Sequence, residues 1–248
     1  PEAAPSEDQL PWRLAAEAGG FLARRRLEYG GIGPMSGTLR GFDAPSIAGP
    51  WLGAELRPLA RARSAALGGI GLYGSWQTSI GFTTTAPTGE LRATRYTAYQ
   101  VGATWRTPAL GAPRLVLAPS IAWKGRSLTV SPSIPGLADA RLSGVTAGMG
   151  AEARLGRVVI LGRGGYVRWI EAKELVGGTP AFFPGGSARA IEAEAGIGVG
   201  LWGALSLRAI GEYGLTRYSL DPDPTGTYAA ARAEDRILGA RVVARLEL

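Results

Sequence analysis

Glu194 and Glu212 are the carboxylates whose placement comes nearest to chemistry. Each lies in a segment of alternating apolar and polar residues, and a tight turn near Gly203 would set the two segments side by side, carboxylates facing. Paired carboxylates of that kind serve glycoside hydrolysis. The competing reading is an internal ion network in which Arg208, Arg241 and other arginines neutralise these acids. The chain favours the network, because the usual partners of catalysis are missing. His and Cys are absent from all 248 residues, and no Asn occurs. Without His there is no side chain that titrates near neutrality and no common metal ligand. Without Cys there is no disulfide, thiolate metal site or thiol nucleophile.

Two further motifs weaken on inspection. Gly69-Ile70-Gly71-Leu72-Tyr73-Gly74 spells a dinucleotide fingerprint, but that motif needs a helix after it, and Ser75-Trp76-Gln77-Thr78 continues a strand pattern. Among 38 glycines such a match arises by chance. Asp221-Pro222-Asp223-Pro224-Thr225-Gly226 resembles the first half of a calcium loop, yet Arg232 stands where the closing Glu belongs. Asp221 and Asp223, with Glu234, form a weak Ca²⁺ candidate. A Pro-braced loop tip is the simpler reading. No cofactor, no metal and no catalytic residue is expected.

The elements that must hold these residues are strands. Hydrophobic residues make up 46% of the chain and charged residues 19%, a composition compatible with a folded core. The net charge is +7, yet of 27 basic residues only Lys124 and Lys173 are lysines. The arginines are scattered singly apart from Arg24-Arg25-Arg26, so nucleic acid is not an expected partner. No run of about 18 apolar residues exists, which excludes a spanning helix.

The hydrophobic period is two across nearly the whole chain. Ile191, Ala193, Ala195, Ile197, Val199 and Leu201 fall on one face, against Glu192, Glu194, Gly196, Gly198 and Gly200. Leu205, Leu207, Ala209, Tyr213 and Leu215 repeat the design against Ser206, Arg208, Glu212 and Thr216. Ten such segments are predicted, at 12–25, 47–61, 67–79, 94–106, 114–127, 140–154, 157–171, 188–202, 204–218 and 232–248. Short and long connections alternate between them, a pattern that sorts loops to one end of a barrel and turns to the other.

The face opposite the apolar one mixes Gly, Ala and Ser with single charges, which suits a crowded barrel interior. A lumen charge network of Glu17, Glu152, Glu192, Glu194, Arg208, Glu212, Arg241 and Arg245 is expected, with Glu55 on the same face. Trp12, Trp51, Trp76, Trp105, Trp123, Trp169 and Trp202, with Tyr96, Tyr166 and Tyr218, gather towards strand ends where interfacial girdles would fall; Trp51 has the parity of an inward residue.

The last segment, Arg236-Ile237-Leu238-Gly239-Ala240-Arg241-Val242-Val243-Ala244-Arg245-Leu246-Glu247-Leu248, resembles the final strand of bacterial outer-membrane β-barrels. That family ends in alternating apolar residues and a terminal aromatic, read by its assembly machinery. Val242, Ala244, Leu246 and Leu248 match the alternation as an insertion signal, with Leu in place of the aromatic. The resemblance covers residues 12–248 and implies an all-β fold: one transmembrane antiparallel up-and-down barrel of about ten strands, with short periplasmic turns and long extracellular loops. It also implies a Gram-negative cell envelope, an integral outer-membrane location and periplasmic termini. Residues 1–11, acidic and Pro-containing, read as a periplasmic lead left after signal cleavage. Eight strands or a soluble lipocalin-like barrel satisfy the same alternation.

Arg24, Arg25, Arg26, Arg95, Arg126 and Arg217 fall at outer strand ends or in adjoining loops, as do Arg40, Arg92 and Arg189. The first six are expected contacts for outer-membrane lipid and lipopolysaccharide, whose phosphates suit arginine. Arg163 shares parity with Val159, Leu161 and Val167, which would aim it at lipid, so a bulge at Gly162, Gly164 or Gly165 is expected to reverse the phase. Pro50 and Pro119 should mark strand starts or irregular pairing. Ten-stranded omptin proteases use His with Asp, and barrel lipases use Ser with His; this chain lacks His. The expected function is therefore non-catalytic: a structural or interaction barrel that anchors protein partners in an envelope complex or presents loops to them. A narrow porin-like channel for ions or small solutes is the alternative.

Overall fold

The computed structural model describes residues 13–30, 41–60, 62, 65–85, 90–109, 112–131, 140–173, 183–221 and 230–248. Ten long strands run through them: β1 (Leu14–Gly30), β2 (Phe42–Leu56), β3 (Ile70–Thr78), β4 (Leu91–Trp105), β5 (Ala112–Ser131), β6 (Ala140–Leu155), β7 (Val158–Lys173), β8 (Gly186–Trp202), β9 (Leu205–Leu220) and β10 (Arg232–Glu247). Two three-residue strands, Thr83–Thr85 and Thr107–Ala109, extend the ladders of β4 and β5, and one helical turn, Ala65–Gly68, lies between β2 and β3. The proposed lead 1–11, Trp12, Arg40 and Asp223 lie outside the described residues.

Each strand pairs antiparallel with its neighbours in sequence, and β1 pairs with β10 from Ala15↔Glu247 to Gly30↔Arg232. The result is a closed ten-stranded up-and-down barrel, as the alternation and loop lengths predict. Closure leaves no open edge, the condition for strands to stand in hydrocarbon. The ends of β1 and β10 are tied together by Arg13 N and Leu14 N, which donate to Leu248 O at 2.7 and 3.0 Å. That end also carries the short turns. Gly156 and Gly203 make them possible with φ of 63° and 52°, values that only glycine adopts freely.

Outward-facing side chains are apolar through the turn-end and middle portions of the wall. Leu22, Leu72, Val101, Ile121, Ile160, Ile197, Leu238 and Val242 all stand exposed, Leu238 at 63%. Towards the loop end the exterior turns polar, with Arg24 and Arg26 on β1, Arg95 on β4, Arg168 on β7 and Arg217 on β9. The interior changes the opposite way. Charged and small residues fill it near the turns, and Leu27, Ile47, Leu128, Val130, Leu142, Val167, Phe183 and Leu220 form a buried cluster towards the loops. Apart from register shifts at Ala23/Arg25, Ser143/Gly144 and Gly200/Trp202 strand parity is kept, but the apolar phase crosses from the outer face to the inner one.

This crossing corrects several expectations. Arg163 needs no bulge, because the β7 ladders with β6 and β8 run in register through Gly162, Gly164 and Gly165. Val159 and Val167 are themselves inward and buried, so Arg163 shares the lumen with them. Trp169, Tyr96 and Tyr218 are likewise buried inside and do not belong to an exterior girdle, whereas Trp76, Trp105, Trp123, Trp202 and Tyr166 are exposed. The strands reach further outward than the alternation suggests, β1 to Gly30 and β5 to Ser131. Both prolines sit within strands, each where one ladder breaks. The β2–β3 pairing begins next to Pro50, at Trp51↔Gln77, and the β4–β5 pairing ends next to Pro119, at Thr104↔Ser120. A missing N–H explains both.

Candidate functional site in the lumen

Inward residues of all ten strands meet in three levels. At the turn end Arg245 donates to Glu17 at 2.7 Å and to Glu247 at 2.9 Å. Arg106 reaches Glu152 at 3.1 Å, and Arg154 bridges Glu152 and Glu247 at 3.2 Å. Arg208 lies 3.7 to 3.9 Å from Glu17, Glu152 and Glu247. Glu55 stands 3.8 Å from Arg106. The small residues between these charges leave room for the guanidinium planes, which is why Gly, Ala and Ser alternate with them.

The middle level is set by β8 and β9. Their register places Glu194 directly opposite Glu212, as the tight turn at Gly203 predicts. Both carboxylates are taken by one cation: Arg241 pairs with Glu194 at 2.9 Å and with Glu212. Its guanidinium also stacks 5.0 Å from the Trp51 ring centroid. Lys124 and Arg126 share Glu192, Arg126 at 3.2 Å, and Arg126 lies 5.6 Å over Trp169. Arg163 has no carboxylate in ion-pair range among the described residues. Its Nη2 donates to the Tyr73 hydroxyl at 2.6 Å and to Ser120 Oγ at 3.1 Å. Gln100 donates to the same Tyr73 oxygen at 2.6 Å. A cavity of ≈ 260 Å³ lies among Tyr73, Gln100, Ser120, Lys124, Arg163 and Glu194.

The outer level is apolar around one ion pair. Arg25 and Asp235 are fully buried and joined by two parallel bonds, Nε to Oδ1 and Nη2 to Oδ2, each 2.9 Å. The middle-level cavity also touches Glu17, Arg106, Glu152 and Arg245 of the turn-end level. Glu194 and Glu212 both line the cavity, with Arg241 between them.

No family model matches the chain, and no curated protein matches it. Solved structures do. The outer membrane protease OmpT from Escherichia coli aligns over 96% of this chain and 97% of its own, at 10% identity and a TM-score of 0.53. The fold is that of a bacterial outer-membrane β-barrel. Neisserial surface protein A aligns over 95% of this chain and 97% of its own at 8% identity, with a TM-score of 0.40. OprG from Pseudomonas aeruginosa aligns over 97% of both chains at 5% identity, with a TM-score of 0.38. These likenesses concern architecture alone.

Within this outer-membrane barrel fold all eight expected network residues, Glu17, Glu152, Glu192, Glu194, Arg208, Glu212, Arg241 and Arg245, point into the lumen. Arg208 serves the turn-end level and leaves Glu194 and Glu212 to Arg241. Two expected lipid contacts are corrected: Arg25 and Arg126 are buried inside, at 1% and 8% exposure, because β1 and β5 continue past them with inward parity. Arg24, Arg26, Arg95 and Arg217 do face outward. Arg24 pairs with Asp43 at 2.8 Å, Arg26 with Glu28, and Arg217 with Glu234 at 3.3 Å. Val242, Ala244 and Leu246 are outward on β10, and Leu248, just past its end, is exposed. Asp221 lies against Gly185, and no cluster able to hold a metal occurs among the described residues. Sequence reasoning passed over Lys124, Arg163, Tyr73 and Arg106 as network members. Lys124 had a usable signal, being one of two lysines and in phase with Ala122 and Arg126.

Proposed function

We propose that this chain is a non-conducting outer-membrane barrel with a structural or interaction role, anchoring or presenting its loop end to protein partners of the envelope. The observation that carries the reading is the filled lumen. Ion pairs occupy its turn end and an apolar cluster around Phe183, Leu128 and Leu220 occupies its loop end. A small barrel leaves little beyond side-chain packing, and a solute would have to break several buried ion pairs to pass. The absence of His and the pairing of Glu194 and Glu212 with Arg241 favour a non-catalytic role. The apolar exterior would be covered by outer-membrane lipid, with termini periplasmic and Arg24, Arg26, Arg95 and Arg217 towards lipopolysaccharide.

The test is planar-bilayer conductance of the refolded protein, with heat-modifiable gel mobility as the folding control. Silence from a folded barrel is the expected result. Stable unit conductance would overturn it in favour of a narrow channel, which the ≈ 260 Å³ polar cavity around Arg163 supports as the second reading.

A further inference from the structure

Four cations and three carboxylates meet at the middle level of the lumen. Lys124 and Arg126 share Glu192, and Arg241 holds Glu194 and Glu212. Arg163 is the fourth cation, and it meets no carboxylate in ion-pair range among the described residues. Its ladder neighbours on the inward face are Gly150 of β6 and Glu194 of β8. The first has no side chain, and the second is taken by Arg241 at 2.9 Å. The turn-end carboxylates do not supply the difference, because Glu17, Glu55, Glu152 and Glu247 lie among Arg106, Arg154, Arg208 and Arg245. Arg163 is left with two neutral oxygens, Tyr73 OH and Ser120 Oγ, both bonded to its Nη2. A charge withdrawn from bulk water calls for a counter-charge.

Donors are in surplus at the same place. With Nη2 engaged, the Nε and Nη1 hydrogens of Arg163 have no acceptor among the described residues. The Tyr73 oxygen accepts from both Arg163 and Gln100 at 2.6 Å, so its lone pairs are used and its own hydrogen must turn to a further acceptor. Lys124 keeps two ammonium hydrogens beyond the one given to Glu192. All three residues line the cavity of ≈ 260 Å³, far above the roughly 15 Å³ that one water needs. Gly150 lines it too, and a Cβ there would find its nearest atoms, in Ala118, at 3.5 Å. One unmatched positive charge, unused donors and open room are the chemistry of an anion site, and a single charge calls for a single negative one.

We propose that Arg163, with the Tyr73 hydroxyl and Lys124, binds one small monovalent anion, a halide or a short carboxylate, inside the lumen. Such an anion balances an enclosed charge whether or not the lumen passes current. Conductance therefore tests the function proposed above, and anion-linked folding tests this site alone.

The experiment follows folding of the full chain into phosphatidylcholine vesicles across urea at rising sodium chloride. One anion held only by the folded barrel raises the folded-to-unfolded ratio about tenfold for each tenfold rise in chloride above its dissociation constant. Gly150→Val fills the cavity and leaves every charge in place, so it reports the general effect of salt. The wild type should exceed its slope by that full factor. Arg163→Gln should lose the dependence as well, and Arg157→Gln, at a turn outside the lumen, should keep it. The same titration in sodium formate tells the two anion classes apart, the tighter-binding salt naming the occupant. A wild type with no dependence on either salt would overturn the site. Equal slopes in Gly150→Val and the wild type would overturn it too, because the anions would then act elsewhere. Heat-modifiable gel mobility controls for folding, and if Gly150→Val does not fold, equal slopes in Arg163→Gln and the wild type overturn the site.

Discussion

Arg25 and Asp235 are diagonal neighbours across the seam where the first and last strands meet. Arg25 stands opposite Ile237 and Asp235 opposite Leu27, and the two side chains are joined by two bonds of 2.9 Å in the driest part of the lumen. Removing one partner strands a charge where no water reaches it, a loss of about 3–5 kcal/mol. Arg25→Met should therefore destabilise the folded barrel strongly in urea titrations. The double variant R25M/D235L should recover most of that loss, because an apolar pair suits Leu27 and Tyr218 around it. A double variant as unstable as the single one would show that the cost comes from shape and not from charge.

Gly19 lies on the same seam. A Cβ there would sit 2.0 Å from Val242 O, whereas one at Gly20 would find its nearest atom, Gly49 O, at 3.7 Å. Gly19→Ala should sharply reduce the fraction of protein that runs as the folded band on unheated gels, and Gly20→Ala should leave that fraction unchanged. Equal behaviour of the two would mean that the seam can open locally without cost.

Arg241 holds two carboxylates, so the loss of either leaves the other in place. Glu194→Gln and Glu212→Gln should each cost about 1 kcal/mol or less. Together they leave Arg241 without a counter-charge beside Trp51, and the double variant should lose about 3 kcal/mol or more. The checkable quantity is the non-additivity in a double-mutant cycle. Simple additivity would mean that Arg241 draws no shared support from the pair.

Arg163 faces Tyr73 and Ser120, and its neighbours in the opposite phase, Ile160 and Tyr166, face out. In lipid vesicles a nitroxide label on Cys at 160 or 166 should be accessible to dissolved oxygen, and one at 163 should not. Strong oxygen relaxation at 163 would show that β7 is rotated and that its arginine meets lipid after all.

The barrel itself was legible because two regularities in the chain are global. Alternation runs through ten segments, and short connections such as Leu155-Gly156 alternate with long ones such as 221–231. The Glu194–Glu212 register was legible too, since a two-residue turn at Gly203 leaves little freedom in the pairing. What escaped were residues of the loop-end half. A reader who takes apolar residues as lipid-facing will misplace Arg25, Arg126, Trp169 and Tyr218, because in that half Leu27, Leu128, Val167 and Leu220 are the inward residues. Periodicity reports parity, and it does not report which side of the wall is wet. The phase inversion looked like a bulge at Arg163 for the same reason. Partners within the network were illegible on other grounds: Arg106 and Glu152 come from β4 and β6, and only closure of the ring brings them within 3.1 Å.

The apolar cluster beneath the loop end has a consequence for how such a surface can change. Leu27, Leu128, Leu142, Phe183 and Leu220 close the top of the barrel with residues drawn from strands and their immediate flanks. The connecting segments are therefore joined to a floor that is already folded, and doubling the length of one costs only about 0.6 kcal/mol in closure entropy. Changes of length at those segments thus cost the strand-borne part of the floor little. Variation can accumulate there quickly while the wall stays the same, which is the property a surface needs when what it meets outside keeps changing.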